Sequence, residues 1–409
     1  MNLPKNLLFT FTLIAALTGA VLAETLVVTP EGLPSLVRKE NPSLAAARLA
    51  IDEAAGRLLG AGRLSNPELE LGGQHNHKFN EGGIDVGLSQ KLPLTDRLKY
   101  EREVSTAELE RARAEVADGE RLLIAEAKEI VVKLMALDAQ RGLLDEQKGI
   151  AEELVESIGD AATRGEASSL DTGQAKIEVM RIQTEARGLG AQRASLLGEL
   201  KQFIGVGTNV DVRVGGKLSD PVLPAGSVDV SKRSDYLAMR HAVDGAERRV
   251  VLEQSKRLED LEVGLVAGWE RSEDAPDGFE NEGIIGVRMT LPLPFWNKNE
   301  GGIAEAEASA RRRLLEAVAL EQDIRNQSAT ALAEMREWLG IINEISSEAL
   351  PAIAEQAVTA EKAYRSGQLD LQNYLRVREQ QLALQVSRLR ALENFHLARV
   401  RYEAARGEF

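Results

Sequence analysis

The chain has 409 residues, 44% of them hydrophobic but only 4% aromatic, and 28% charged with a formal balance of −14 and no cysteine. The acidic balance, without a clustered basic patch, argues against nucleic acid as a partner. The apolar supply is mostly Ala, Leu and Val, which suits long helices, and the lack of Cys removes both disulfides and a thiol for an N-terminal lipid.

Residues 1–23 begin with Lys5, continue as a short apolar run and end in AVLAET. Small side chains at Ala20 and Ala23 suit cleavage after Ala23, so this segment reads as a signal peptide for export. Thr10, Thr12, Thr18 and Gly19 interrupt the run, which disfavours a permanent anchor.

Beyond it the chain aligns with itself. NPSLAAAR (41–48) lies over RSDYLAMR (233–240), ELELGG (68–73) over DLEVGL (260–265), VGLSQKLPL (86–94) over IGVRMTLPL (285–293), and TRGEASSLD (163–171) over YRSGQLDLQN (364–373). Landmarks in matching order indicate two tandem repeats, at 24–205 and 233–409, joined by a Gly-, Pro- and Val-rich linker at 206–232 in which VDVRV (210–214) suits a short strand.

Each repeat is expected to open with a helix and then form a hairpin, at about 67–93 and about 260–294. In the first, Ile84, Val86, Leu88 and Leu92 share one strand face, while Asp85, Gly87, Ser89 and Lys91 share the other. In the second, Leu261, Val263, Leu265, Ala267 and Trp269 alternate, followed by Ile285, Val287, Met289 and Leu291. The hairpins are expected to supply four strands in all, too few to close a barrel within one chain.

Long helices follow, at about 96–163 and about 298–364. Val116, Leu123, Ile130, Leu137 and Leu144 recur every seven residues in the first, and Ala317, Ile324, Ala331 and Trp338 in the second. Each would reach about 100 Å. The chain should reverse at Arg164, Gly165 and Glu166, and again at Ser366, Gly367 and Gln368, where glycine permits a tight turn. Return helices are expected at about 169–203 and about 370–405. Each is shorter than its partner by roughly the length of the helix before the hairpin, so the two short helices should stack end to end along the long one. Ala-rich seams with little wide apolar face suit antiparallel coiled-coil helices ringed around a wet interior.

This organisation, with TLPLPFWNKNEGGIAEAEA at the end of the second hairpin, resembles the TolC-like outer membrane factor family over essentially the whole exported chain. Within it the Leu-Pro-Leu-Pro run is similar to heavy-metal efflux members of the CzcC and CusC type. The resemblance implies a mainly α fold with a small β part. Trimerisation would make a 12-stranded β-barrel in outer membrane lipid and an α-helical barrel in the periplasm. Pro292 and Pro294 would mark the periplasmic membrane boundary, with Phe295 and Trp296 in the interface. The tips, Arg164 to Glu166 and Ser366 to Gln368, would meet a periplasmic membrane-fusion adaptor, and through it an RND-type inner-membrane transporter. The chain itself would be a passive duct without a cofactor, for heavy-metal cations, or otherwise for drugs or secreted protein.

Other candidate chemistry is sparse. Asp171, Asp370 and Asn373 follow the tip turns and could gate the pore, although Asp171 also suits a helix start. His75 and His77, in GGQHNH, are expected on one strand face but lack a third metal ligand, while His396 fits a packed helix seam. No nucleophile–base arrangement or phosphate loop stands out, which disfavours an enzyme. An exported periplasmic coiled-coil scaffold would explain the helices but not the alternating hairpins.

Overall fold

The computed structural model describes residues 25–165, 168–226, 228–274 and 276–409; the expected signal peptide and Glu166 lie outside these. Among the described residues the fold is dominated by helices far longer than globular ones. In the first half these are α2 (Pro42–Gly60), α3 (Arg97–Thr163) and α4 (Ser169–Phe203). In the second they are α5 (Ser234–Ser255), α6 (Glu300–Glu344), α7 (Leu350–Arg365) and α8 (Leu371–Arg406). At 67 residues, α3 spans about 100 Å.

The seven-residue spacing becomes a buried seam. Ile130, Leu144, Ala151 and Ile158 of α3 are buried, and so are Ala317, Ile324 and Ala331 of α6. In the lower half of the molecule Leu144 and Ala151 share a core with Ile182 and Leu189 of α4 and with Leu382 and Val386 of α8. The two halves are thereby held side by side. Nearer the hairpins, Ala54 of α2 packs on Leu109 and Ala112 of the same α3. So α2 and α4 do share α3 between them, one at each end.

They meet as expected: Asn41, the N-cap of α2, donates from Nδ2 to the carbonyl of Phe203, the last residue of α4, at 2.8 Å. Short elements gather beside this junction. Strand β1 (Thr25–Val28) pairs in parallel with β4 (Asp211–Val214), and α1 (Leu33–Glu40) lies beside them. Val28, Val212, Leu33 and Val37 close with Ile124, Ala127, Val131 and Leu134 of α3 into the largest apolar cluster. Six strands are therefore present among the described residues: the four of the hairpins, β4 at the short strand expected in the linker, and β1, which is too short for its alternation to stand out. The linker is likewise packed: Tyr402 donates to the Gly226 carbonyl at 3.1 Å and Arg406 to that of Ala225 at 3.0 Å.

The second long helix is continuous in direction but not in hydrogen bonding. A π-turn, Ile345–Ala349, interrupts it directly before Pro351, which has no N–H to give to the ladder.

The remaining strands are β2 (Glu68–His75), β3 (Gly82–Leu92), β5 (Leu261–Asp274) and β6 (Gly278–Thr290). They form one antiparallel sheet in the order β2-β3-β5-β6, so the two hairpins join through β3 and β5, leaving β2 and β6 as open edges.

Candidate functional site

The sheet has two chemically opposite faces, set by a register that aligns like residues across all four strands. One row runs Leu69, Leu88, Leu265, Val287; the next runs Leu71, Val86, Ala267, Ile285. This face is bare, with Trp269 68% and Ile285 91% exposed. An apolar face of that extent is tolerated only where something other than water covers it.

The opposite face is small and acidic. It carries Glu68, Glu70, Asp85, Glu262, Glu270, Glu280 and Glu282 against the cations Lys91 and Arg288. Lys91 sits 3.1 Å from Glu68 and Arg288 3.0 Å from Glu70, both near the helical end. Among the described residues no cation pairs with Asp85, Glu270, Glu280 or Glu282, further out along the strands. This alternation keeps Glu68 and Glu70 off the apolar face.

At the helical end of the sheet, β6 stops at Thr290 and Pro292 and Pro294 keep the following segment out of strand pairing. Phe295 and Trp296 contact each other edge to face, with Trp296 94% exposed. Asn299, in the left-handed region at φ 59°, then turns the chain into α6 and donates to the Glu253 carbonyl at 2.9 Å.

The tips lie at the other end of the helices. Gly165 and Gly367 have φ of 76° and 70°, conformations that glycine adopts without strain. Arg164, Ser366 and Gln368 are exposed around them. The two tips share a small core of Ile158, Ala175, Ala360, Leu371 and Tyr374, and Tyr364 stacks on Tyr374 with centroids 5.2 Å apart. Burial, with the nearby Asp171 carboxylate, raises the Tyr364 phenol above its ordinary pKa.

The gate candidates divide. Asp171 lies in the first turn of α4, where the helix dipole favours a carboxylate. Asp370 is the N-cap of α8: it accepts from the Asn373 backbone N–H at 2.7 Å and from its Nδ2 at 2.8 Å. An amide at 373 completes this cap where a carboxylate, having no donor, could not.

The histidine expectation is corrected. Strand β2 ends at His75, which stacks on Phe79, while His77 lies in the turn, so the two do not alternate on one face. No group of three metal-ligating side chains occurs among the described residues. His396 is buried in the α8 seam with Nε2 2.9 Å from the Ser219 carbonyl. Sequence reasoning missed two other buried groups, Arg121 and Arg233, which reach the carbonyl ends of α8. Only their burial distinguishes them from the many solvated arginines of these helices.

Residues 33–206 match the model of the family described as outer membrane efflux protein. The cobalt-zinc-cadmium resistance protein CzcC of Cupriavidus metallidurans is 24% identical over 372 residues, covering 89% of this chain and 86% of that protein. The fold superposes on the CusC transmembrane channel with a TM-score of 0.75 at 17% identity, over 92% of this chain and 91% of the other. The open-state outer membrane channel MtrE of Neisseria gonorrhoeae gives 0.75 at 16% identity, over 92% and 88%. The chain thus resembles outer membrane efflux proteins, in sequence over residues 33–206 and in fold over nearly its whole length.

The matched family model and the shared fold are those of outer membrane channels, which carry no enzymatic chemistry and have a periplasmic helical part and a sheet in the outer membrane. The bare apolar face of the sheet suits lipid in such a setting. No helix of the described residues is long and apolar enough to cross a membrane; the sheet serves that purpose. The family model matched by residues 33–206 also speaks against the periplasmic coiled-coil scaffold.

Proposed function

We propose that the chain is the outer membrane exit duct of a tripartite efflux system for heavy-metal cations. Three copies would pair the β6 edge of one chain with the β2 edge of the next, in the antiparallel sense that the sheet already follows, closing a 12-stranded barrel. In this reading the units 24–205 and 233–409, joined by 206–232, contribute alternate staves of the tunnel. Arg164, Gly165, Glu166, Ser366, Gly367 and Gln368 dock a periplasmic adaptor, and an RND-type pump supplies the energy. Asp171 and Asp370 ring the closed end, and Pro292, Pro294, Phe295 and Trp296 mark the lipid boundary.

The observation that carries the cation reading is the lumen face of the sheet, where, among the described residues, seven carboxylates oppose two cations. In a closed barrel they would lower the electrostatic energy of a cation along the exit and raise that of an anion. Kinship with a cobalt-zinc-cadmium resistance protein supports the same class of cargo. Two measurements test the reading. Cells expressing the full chain are fractionated and the detergent-extracted particle is weighed: a heat-modifiable trimer in the outer membrane is expected, and a soluble monomer overturns the barrel. Cells deleted for the gene should lose growth in zinc, cobalt or cadmium salts; a loss confined to organic antibiotics would instead favour drug export.

A further inference from the structure

Four segments meet at one level beneath the sheet. Thr95 Oγ1 donates to the Ser255 carbonyl at 3.1 Å, Arg97 pairs with Asp260 at 2.6 Å, and Asn299 bonds Glu253 at 2.9 Å. Gly62 lies against the Leu98 carbonyl and the Arg102 Cβ. These ties gather the loop after α2, the start of α3, the end of α5 and the approach to α6 into a collar.

The collar combines two features. Leu64, Leu94, Leu258, Leu293, Phe295 and Trp296 are all exposed, continuing the bare lipid face downward past the last strand residues. Interleaved with them are Arg63, Lys99, Arg102, Arg257 and Lys298, exposed and without a salt-bridging carboxylate among the described residues. The neighbouring carboxylates Asp260, Glu101 and Glu253 are already held by Arg97, Arg249 and Lys256. Asp96, Glu259, Glu262 and Glu300 remain as counterweight, fewer than the free cations. In a chain of formal charge −14, a positive excess at the border of the lipid band calls for a negative partner at that height.

From this we infer that the collar binds the phosphate headgroups of anionic glycerophospholipid in the periplasmic leaflet. Exposed Trp and Leu seat at the acyl boundary while long Arg and Lys side chains reach the phosphates. The collar would fix the height of the chain in the membrane through noncovalent lipid contacts. The inference rests on the outer membrane placement. An apolar ligand or the adaptor would use the leucines and aromatics but would leave the cations without purpose.

The test uses the full-length chain extracted in detergent and reconstituted into nanodiscs of phosphatidylethanolamine, alone or mixed with phosphatidylglycerol, with retained lipids counted by native mass spectrometry. Several-fold enrichment of phosphatidylglycerol over its bulk share is expected, weakening at high salt. The fivefold variant R63Q/K99Q/R102Q/R257Q/K298Q should bring that enrichment towards unity. Removing five exposed cations from the distant helices, in K176Q/R187Q/R336Q/K362Q/R390Q, should leave it unchanged. Equal enrichment in all three proteins, or equal loss in both variants, overturns the collar. Should the collar variant not fold, wild-type enrichment that is absent or indifferent to salt overturns it as well. Failure of the wild-type chain to enter nanodiscs would instead sink the outer membrane placement.

Discussion

The guanidinium of Arg121, in the middle of α3, donates to the carbonyl oxygen of Ala404 at 2.9 Å, in the last turn of α8. Arg233, at the start of α5, is buried alongside and reaches the next carbonyl, that of Ala405, at 3.5 Å. Two cations from different parts of the chain thus neutralise the negative end of one helix. Replacing Arg121 by Met leaves Asp118 and the Ala404 carbonyl without their donor in a site where the arginine side chain is only 5% exposed. A loss of about 2 kcal/mol is expected, with partial recovery in Arg121→Lys, which cannot span both acceptors equally. Unfolding of the detergent-solubilised protein by heat or urea measures it.

Gly205 ends α4 with φ 63°, and a Cβ there would overlap the Glu40 carbonyl oxygen. The same corner is pinned by Asn41, whose Nδ2 donates to the Phe203 carbonyl at 2.8 Å. Gly205→Ala should destabilise by about 2 kcal/mol through strain and displacement together. The effect should appear as early proteolysis near residues 205–216 rather than at the tips.

Much of this could be read from the sequence because the repeat imposes itself twice. Leu88 and Val287, and the turns at Gly165 and Gly367, were placed by comparing the chain with itself. Thr25–Val28 has no second copy to reveal it, and VDVRV in the linker suggests a strand without showing its partner. Only pairing with each other makes Thr25–Val28 and Asp211–Val214 strands, across nearly two hundred residues. Among the candidate residues, Asp370 carried no sign of its bond to Asn373, since capping depends on where the helix begins, and boundaries are the least legible part of a periodic pattern.

That cap separates two roles at the tip. Asp370→Asn keeps a good capping side chain but removes the charge, while Asp370→Ala removes both and should cost about 1 kcal/mol. If Asp370 contributes to the gate, single-channel conductance in planar bilayers shifts in both variants. If it only caps α8, conductance follows stability and Asp370→Asn behaves as wild type.

Burial lowers the pKa of His396 below its ordinary value of about 6.5, against the Ser219 carbonyl, which favours the protonated ring. The unfolded chain therefore binds the proton more readily. The associated stability is complete above about pH 6.5 and declines as the pH falls towards the folded-state value. Thermal unfolding should show a downward bend across that interval, and His396→Gln should flatten it.

In the lumen, neutralising Asp85, Glu270 and Glu282 together, as Asn, Gln and Gln, should lower the cation-to-anion permeability ratio read from the reversal potential under a KCl gradient. Stability should hardly change, because none of the three has an ion-pair partner among the described residues. An unchanged ratio would place the selectivity of the duct elsewhere.

The π-turn Ile345–Ala349 settles a matter of phase. Above it, Ser328, Ala331, Met335 and Ile342 are buried; below it, Ile353, Ala357 and Ala360 are. Counted straight through, the lower set is one residue late for the three-and-four rhythm of the upper, an error of about 100° around the helix. Skip one residue inside the wide turn and the rhythm runs unbroken, so the same side of the helix meets its neighbours along its whole length. The wide turn thus acts as a leap day, absorbing one surplus residue so that the seam below keeps time with the seam above.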